Sequence, residues 1–137
     1  MPVIQYTAAG GVVVNGGKIL VLRRPGRGEV RLPKGHVEEN EPLDKAARRE
    51  IAEESGYADI EIIGDLGQQT VEFDYQGDHI VRNELYYLVN LRSLDQIERM
   101  PYEYQFIPDW LTWDEALSQL SFEAEREWVH RARKQAS

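Results

Sequence analysis

The sequence predicts an α/β (α+β) fold, a mixed β-sheet between helices, in a single domain spanning residues 1–137. Three observations predict it. Asn15-Gly16 separates the aliphatic runs Val12-Val13-Val14 and Ile19-Leu20-Val21-Leu22, a strong local signal for a β-hairpin. Pro42 and Gly56 bracket a stretch with helical apolar spacing. Strand-like alternation follows, and then two segments patterned as amphipathic helices. At 137 residues the chain has the length of one domain, and such a chain buries roughly two thirds of its unfolded surface without disulfides or a structural metal.

In order along the chain, strands are expected at about 4–14 and 18–24. Pro25-Gly26-Arg27-Gly28 breaks that pattern, and a loop runs on to Leu32-Pro33-Lys34-Gly35. A helix over about 42–55 has proline in its first turn, Leu43, Ala47 and Ile51 as its apolar stripe, and Gly56 at its C′ end. Ile60-Glu61-Ile62-Ile63 and Thr70–Tyr75 alternate as half-buried strands, and Gln76-Gly77-Asp78 turns into a strand over 79–91. Ser93-Leu94-Asp95-Gln96 has capping-box spacing, which predicts a short helix before Pro101, and residues 106–110 are extended. Thr112-Trp113-Asp114-Glu115 opens a helix to about Leu120. A last helix, about 122–134, is expected to bury Phe122, Trp128, Val129 and Ala132, with Trp110 and Trp113 also in the core.

Composition excludes several classes. No apolar run approaches the ~20 residues of a membrane span, and mean hydropathy is -0.54. Met1–Tyr6 lacks the basic start and apolar stretch of a secretory signal, so the cytoplasm is the expected compartment. With no cysteine, a disulfide framework, a thiolate zinc site and a cysteine nucleophile are all excluded. A net charge of -8 is opposite to the footprint of a nucleic-acid-binding protein. The charge is uneven, however. Residues 23–34 carry Arg23, Arg24, Arg27, Arg31 and Lys34 against Glu29, a local +4, while residues 38–61 sum to -6. A basic loop beside an acidic helix suits a phosphate and a metal cation respectively.

Glu50, Glu53 and Glu54 stand at i, i+3 and i+4, so a helix places their carboxylates on one face within about 6 Å of each other. Like charges so placed destabilise a helix by a few tenths of a kcal/mol per pair. Such a cluster makes chemical sense as an oxygen site for a hard divalent ion, Mg²⁺ or Mn²⁺. Arg49 and Glu53, at i and i+4, can pair and hold one carboxylate in place.

The segment Gly35–Tyr57 as a whole resembles the Nudix box, Gly-x5-Glu-x7-Arg-Glu-U-x-Glu-Glu-x-Gly-U with U bulky and apolar. Gly35, Glu41, Arg49, Glu50, Ile51, Glu53, Glu54 and Gly56 fall in place, and Tyr57 is an aromatic last U. At ~7% per letter, the seven fixed letters match by chance in about one window in 10⁸. The box covers 23 of 137 residues. The resemblance implies a Nudix-type α/β/α sandwich and a metal-dependent hydrolase of nucleoside diphosphates linked to another group. It implies Glu50, Glu53 and Glu54 as ligands of Mg²⁺ or Mn²⁺, with the Gly35 carbonyl beside them. By the same resemblance Arg49 orients a glutamate, Glu41 fixes the loop-helix junction, and Gly56 is structural. Either Glu53 or Glu50 is then the base that activates water.

Outside the box, Leu32-Pro33-Lys34-Gly35-His36-Val37-Glu38 and Glu84–Leu88 resemble segments of the asymmetrical diadenosine tetraphosphate (Ap4A) hydrolases, as do Glu103-Tyr104-Gln105 and Trp110-Leu111. This makes Glu103 a candidate further metal ligand or base, and Arg24, Lys34, His36, Tyr75 and Tyr87 candidate substrate-binding residues. Tyr75, Tyr86 and Tyr87 are also strand-favouring residues for which core packing competes with base stacking. The partner expected is a small nucleotide, with no membrane and no nucleic acid, and the chain acts as a monomer or homodimer. The alternatives are a Nudix hydrolase of another substrate, such as an ordinary or oxidised (d)NTP, ADP-ribose or an RNA 5′ end, and a non-catalytic nucleotide-binding module.

Overall fold

The hairpin predicted at Asn15-Gly16 lies at the centre of the sheet. In the computed structural model, which describes residues 2–137, strand β1 (Val3–Asn15) turns into β2 (Lys18–Arg24). The turn residues Gly16 and Gly17 have φ of 56° and 79°. A two-residue turn with positive φ at both positions matches the twist of the strands it joins, and glycine adopts it without steric cost.

β1 is long enough to serve several neighbours. It pairs with β2 near the hairpin and with β4 (Lys34–His36) through Ala8–Gly10. Along its other side it runs parallel to β6 (Asp78–Leu91), from Val3 opposite His79 to Val14 opposite Asn90. β3 (Glu29–Arg31) and β7 (Ile107–Thr112) flank β2, and β5 (Ile60–Tyr75) completes the far edge against β6, all antiparallel. The result is a seven-stranded mixed sheet.

Because side chains alternate across a strand, β1 and β6 each supply both faces. Val12, Tyr86 and Leu88 pack with α2 (Trp113–Gln119) and α3 (Glu123–Ala136). Val13, Val89 and Leu91 pack with Ile51 of α1 (Leu43–Ser55). Helices therefore cover both faces of the sheet, as the sequence predicts. Trp128 is fully buried and stacks on Tyr86, with ring centroids 4.6 Å apart and planes 13° from parallel. The predicted capping box at Thr112 and Glu115 is formed. At the end of α1, Gly56 takes φ 85° and donates its N–H to the Ala52 carbonyl at 2.9 Å, closing the helix as expected of a C-terminal glycine.

Several local expectations are corrected. Pro42 is the extended residue just before α1 rather than part of its first turn, and Leu43 is only half-buried while Ala46 joins Ala47 and Ile51 inside. Segments 60–63 and 70–75 are one strand, irregular between Ile62 and Gly64 and between Asp65 and Gly67, because β6 pairs with the whole length. The loop after β2 contains a 3₁₀ turn (Pro25–Arg27) and the short strands β3 and β4. No helix forms at Ser93. Its hydroxyl accepts the Asp95 N–H two residues on, and the Gln96 amide donates to Ser55 O at 2.9 Å, so this segment caps α1 instead. A 3₁₀ turn begins at Pro101 (Pro101–Gln105). Phe122 is 41% exposed, since it precedes α3 at the mouth of a cleft, and Trp110 and Trp113 are partly buried. Among the described residues no helix is long and apolar enough to cross a membrane.

Candidate active site

Arg49 is the centre of the acidic cluster. Its Nε and Nη2 grip the two oxygens of Glu41 at 2.8 and 3.0 Å, the paired geometry that guanidinium and carboxylate planes favour. Nη2 also donates to the carbonyl of His36 at 2.9 Å, while Nη1 reaches Glu50 at 2.8 Å and Glu53 at 3.2 Å. One side chain thus ties the start of the loop, the helix and two of its carboxylates together. Glu41 also accepts the Glu38 N–H, and with Arg49 as the larger cause its carboxyl is held down at about 2. Arg49 is in turn pushed further into its charged form, chiefly by Glu41.

The other carboxylates shift the opposite way. Burial pushes Glu54 up to about 8, with the charge of Glu50 adding to it and the N–H donated by Lys34 at 2.8 Å opposing it. Glu50 is raised, first by burial and further by Glu53 and Glu103, against the pull of Arg49. Glu103, buried in the 3₁₀ turn, is raised by burial and by the charge of Glu53. Arg99 holds that turn against α1, since its Nη1 donates to the carbonyls of Glu54, Glu103 and Phe106 at 2.9, 3.1 and 2.9 Å. Glu53 is the open member, with its side chain 42% exposed against 12% for Glu50.

Among the described residues no three of these side chains already converge as a cation cage. Their chemistry nevertheless fits one. Desolvated carboxylates that repel one another are what a divalent ion relieves. Gly35 supplies the room, because a Cβ there would collide with the Glu50 carboxylate. Glu50, Glu53, Glu54 and Glu103 are the side chains that fit a metal.

Beside β4, on the α3 face of the sheet, lies a cleft of about 1120 Å³. His36 and Tyr75 line it, as do Tyr6, Phe73, Arg31 and Arg82. His36 meets Tyr6 edge-on at 3.9 Å between ring centroids. Lys34 also borders the cleft, but its ammonium is engaged by Glu125 at 2.8 Å in a buried pair. Tyr87 does not join these residues, since strand alternation turns it to the α1 face, against Ala46 and Ala47. Arg24 borders a separate pocket and bonds Gln105 at 2.8 Å. The sequence reading missed Tyr6, Phe73, Arg82 and Glu84. Buried Glu84 takes hydrogen bonds from Arg82 Nε at 2.7 Å and Trp128 Nε1 at 3.0 Å. The signal for these residues was the period-2 pattern that puts Ile4 and Tyr6 on one face of β1, and Ile80, Arg82 and Glu84 on one face of β6.

Carboxylates gathered on α1, with an arginine-bordered cleft across β4 on the other face of the sheet, suit chemistry at phosphate. The chain belongs to the Nudix family: the family model described as NUDIX domain matches residues 5–132, and the protein is a Nudix hydrolase. Members generally use divalent metal ions and act on small nucleotides. No curated protein sequence matches the chain. Among solved structures it is similar to an Ap4A hydrolase of C. elegans, at 21% identity and TM-score 0.73, with 98% of this chain and 100% of that one covered. A MutT NUDIX hydrolase from Burkholderia pseudomallei is 26% identical with a TM-score of 0.63, covering 93% and 98% of the two chains. The E. coli dihydroneopterin triphosphate pyrophosphohydrolase is 21% identical with a TM-score of 0.70, covering 91% and 92%.

Proposed function

We propose that the protein is a Mg²⁺- or Mn²⁺-dependent pyrophosphohydrolase that cleaves a nucleoside diphosphate linked to another group by attack of water on phosphorus, with dinucleoside polyphosphates such as Ap4A as its substrates. The observation that carries the substrate class is the cleft. At about 1120 Å³ it exceeds the ~300–1,000 Å³ usual for one small ligand. Tyr6, His36, Phe73 and Tyr75 offer rings for a base, and Arg31 and Arg82 offer donors for phosphate oxygens. One solved structure of the same fold is named an Ap4A hydrolase.

Glu50, Glu54, Glu103 and the carbonyl of Gly35 would hold the metal. When bound, the ion neutralises phosphate oxygens and lowers the pKa of water. Glu53 is the base in this reading, because its carboxylate is the open one while Glu50 is desolvated and locked by Arg49. Arg49 fixes the position of Glu53 through Nη1, so that the proton moves to an oriented oxygen.

The test is product analysis of Ap4A, GTP, 8-oxo-dGTP and ADP-ribose incubated with pure protein and Mg²⁺ or Mn²⁺, alongside Glu53→Gln. The reading expects Ap4A to yield ATP and AMP only with metal, and the substitution to lower the rate at least 10²-fold. Preference for another of these nucleotides overturns the substrate class. Binding without turnover of any of them overturns the enzyme reading.

A further inference from the structure

A second pocket, of about 460 Å³, lies beyond the cleft and is lined by Arg24, Pro25, Arg27, Tyr104, Gln105 and Ile107. Arg27 borders both cavities, so the two are neighbours. The ground between them is positively charged. The buried ring of Phe106 lies under two guanidinium groups, Arg24 at 5.5 Å and Arg31 at 5.6 Å, one belonging to each cavity. Among the described residues none of Arg24, Arg27 and Arg31 pairs with a carboxylate. In a chain with 24 acidic residues against 16 basic ones, three unpaired arginines in one track are available for a polyanion.

The pocket also has a prepared aromatic wall. Tyr104 is 55% exposed, yet its ring is backed by the guanidinium of Arg99 at 4.8 Å. Arg99 is itself immobilised by its three carbonyl acceptors, at Glu54, Glu103 and Phe106. A ring stacked on a fixed cation is already ordered before a ligand arrives, which lowers the entropic cost of stacking a second plane on it. Gln105 spends its Oε1 on Arg24 and keeps Nε2 to donate to a base edge. Tyr104 also follows directly on Glu103, a member of the acidic cluster. The pocket and the large cleft meet at Arg27, which lines both.

We infer that this pocket is the subsite for the second nucleoside of a dinucleoside polyphosphate, with the base stacked on Tyr104 and the polyphosphate crossing Arg27 and Arg31 from the large cleft. The inference rests on the reading of the protein as a dinucleoside polyphosphate hydrolase. A ligand with one nucleoside and the same number of phosphates, adenosine 5′-tetraphosphate, uses the cleft and the arginine track but has no second base to stack.

The experiment compares kcat/KM for Ap4A and for adenosine 5′-tetraphosphate in the wild type, Tyr104→Ala and Tyr104→Phe. The ratio of the two values cancels any general damage to the neighbouring acids. Tyr104→Ala is expected to lower the Ap4A-to-tetraphosphate ratio about tenfold, through KM for Ap4A, in line with the loss of one base-aromatic stack. Tyr104→Phe, which keeps the ring, is expected to hold the wild-type ratio. A ratio unmoved by Tyr104→Ala, or lost equally in Tyr104→Phe, overturns the subsite alone. A wild-type protein inert toward Ap4A overturns the substrate reading and the subsite with it.

Discussion

Lys34 Nζ lies 2.8 Å from Glu125 Oε2, with the two side chains only 5% and 2% exposed. The other Glu125 oxygen accepts the Leu32 N–H at 3.0 Å, and the Lys34 N–H donates to Glu54 at 2.8 Å. A single residue of β4 therefore joins α3 on one face of the sheet to the acidic helix on the other. An ion pair this deep is worth little against an apolar replacement, yet removing one partner strands the other charge.

Glu125→Gln keeps an acceptor for Leu32 but leaves the Lys34 ammonium buried without its counter-charge. Urea unfolding should show a loss of about 3 kcal/mol. The double variant Lys34→Met with Glu125→Gln should recover most of it, because no charge then remains to be stranded. Single and double variants of equal stability would contradict this account.

Arg49→Lys keeps the positive charge and removes the fork that holds Glu41, Glu50 and Glu53 at once. Activity on whichever nucleotide proves to be the substrate should fall at least 10-fold in kcat, with a smaller change in KM. If kcat stays within about twofold of wild type, the guanidinium is not positioning the glutamates.

The raised carboxyl of Glu54 makes stability depend on pH. Its folded-state pKa of about 8 lies above the ordinary 4.5, so between these values the folded chain holds a proton that the unfolded chain has released. Metal-free protein should therefore lose thermal stability as pH rises from 4.5 toward 8. A divalent ion that binds the deprotonated site reverses the trend. Thermal melts with and without Mn²⁺ should show a larger rise in Tm at pH 8 than at pH 5.5, and equal rises at both would count against Glu54 as a ligand.

Gly35→Ala places a methyl group where the Glu50 carboxylate stands. Displacing that carboxylate should cost about 1–3 kcal/mol of stability, as overpacking does. It should also weaken Mn²⁺ binding, followed by calorimetric titration. Unchanged metal affinity would show that the close approach of this backbone to Glu50 has no part in the site.

Which features were legible in the sequence follows from how local their causes are. Helix α1 was read within a residue at its start because Pro42, Gly56 and the spacing of Ala47 and Ile51 act inside one segment. The acidic face was legible for the same reason, since i, i+3 and i+4 are neighbours on any helix. Alternation marks 60–63 and 70–75 as two separate strands, yet pairing along β6 carries β5 through both irregularities. Ser93 offered a cap by spacing alone, but its neighbour Gln96 found a better partner in the end of α1.

Within its own 137 residues, then, the chain declares its elements, its acidic helix and its family resemblance, all properties of residues a few positions apart. Tertiary structure alone decided that Tyr75 borders the cleft while Tyr87 packs under α1, because the face of a strand residue depends on register with a distant partner. It likewise decided that Lys34 is spent on Glu125, 91 positions away, and that Arg99 stands behind Tyr104. Side-chain partners brought together by folding set the charge, burial and orientation of each group, and no spacing along the chain encodes them.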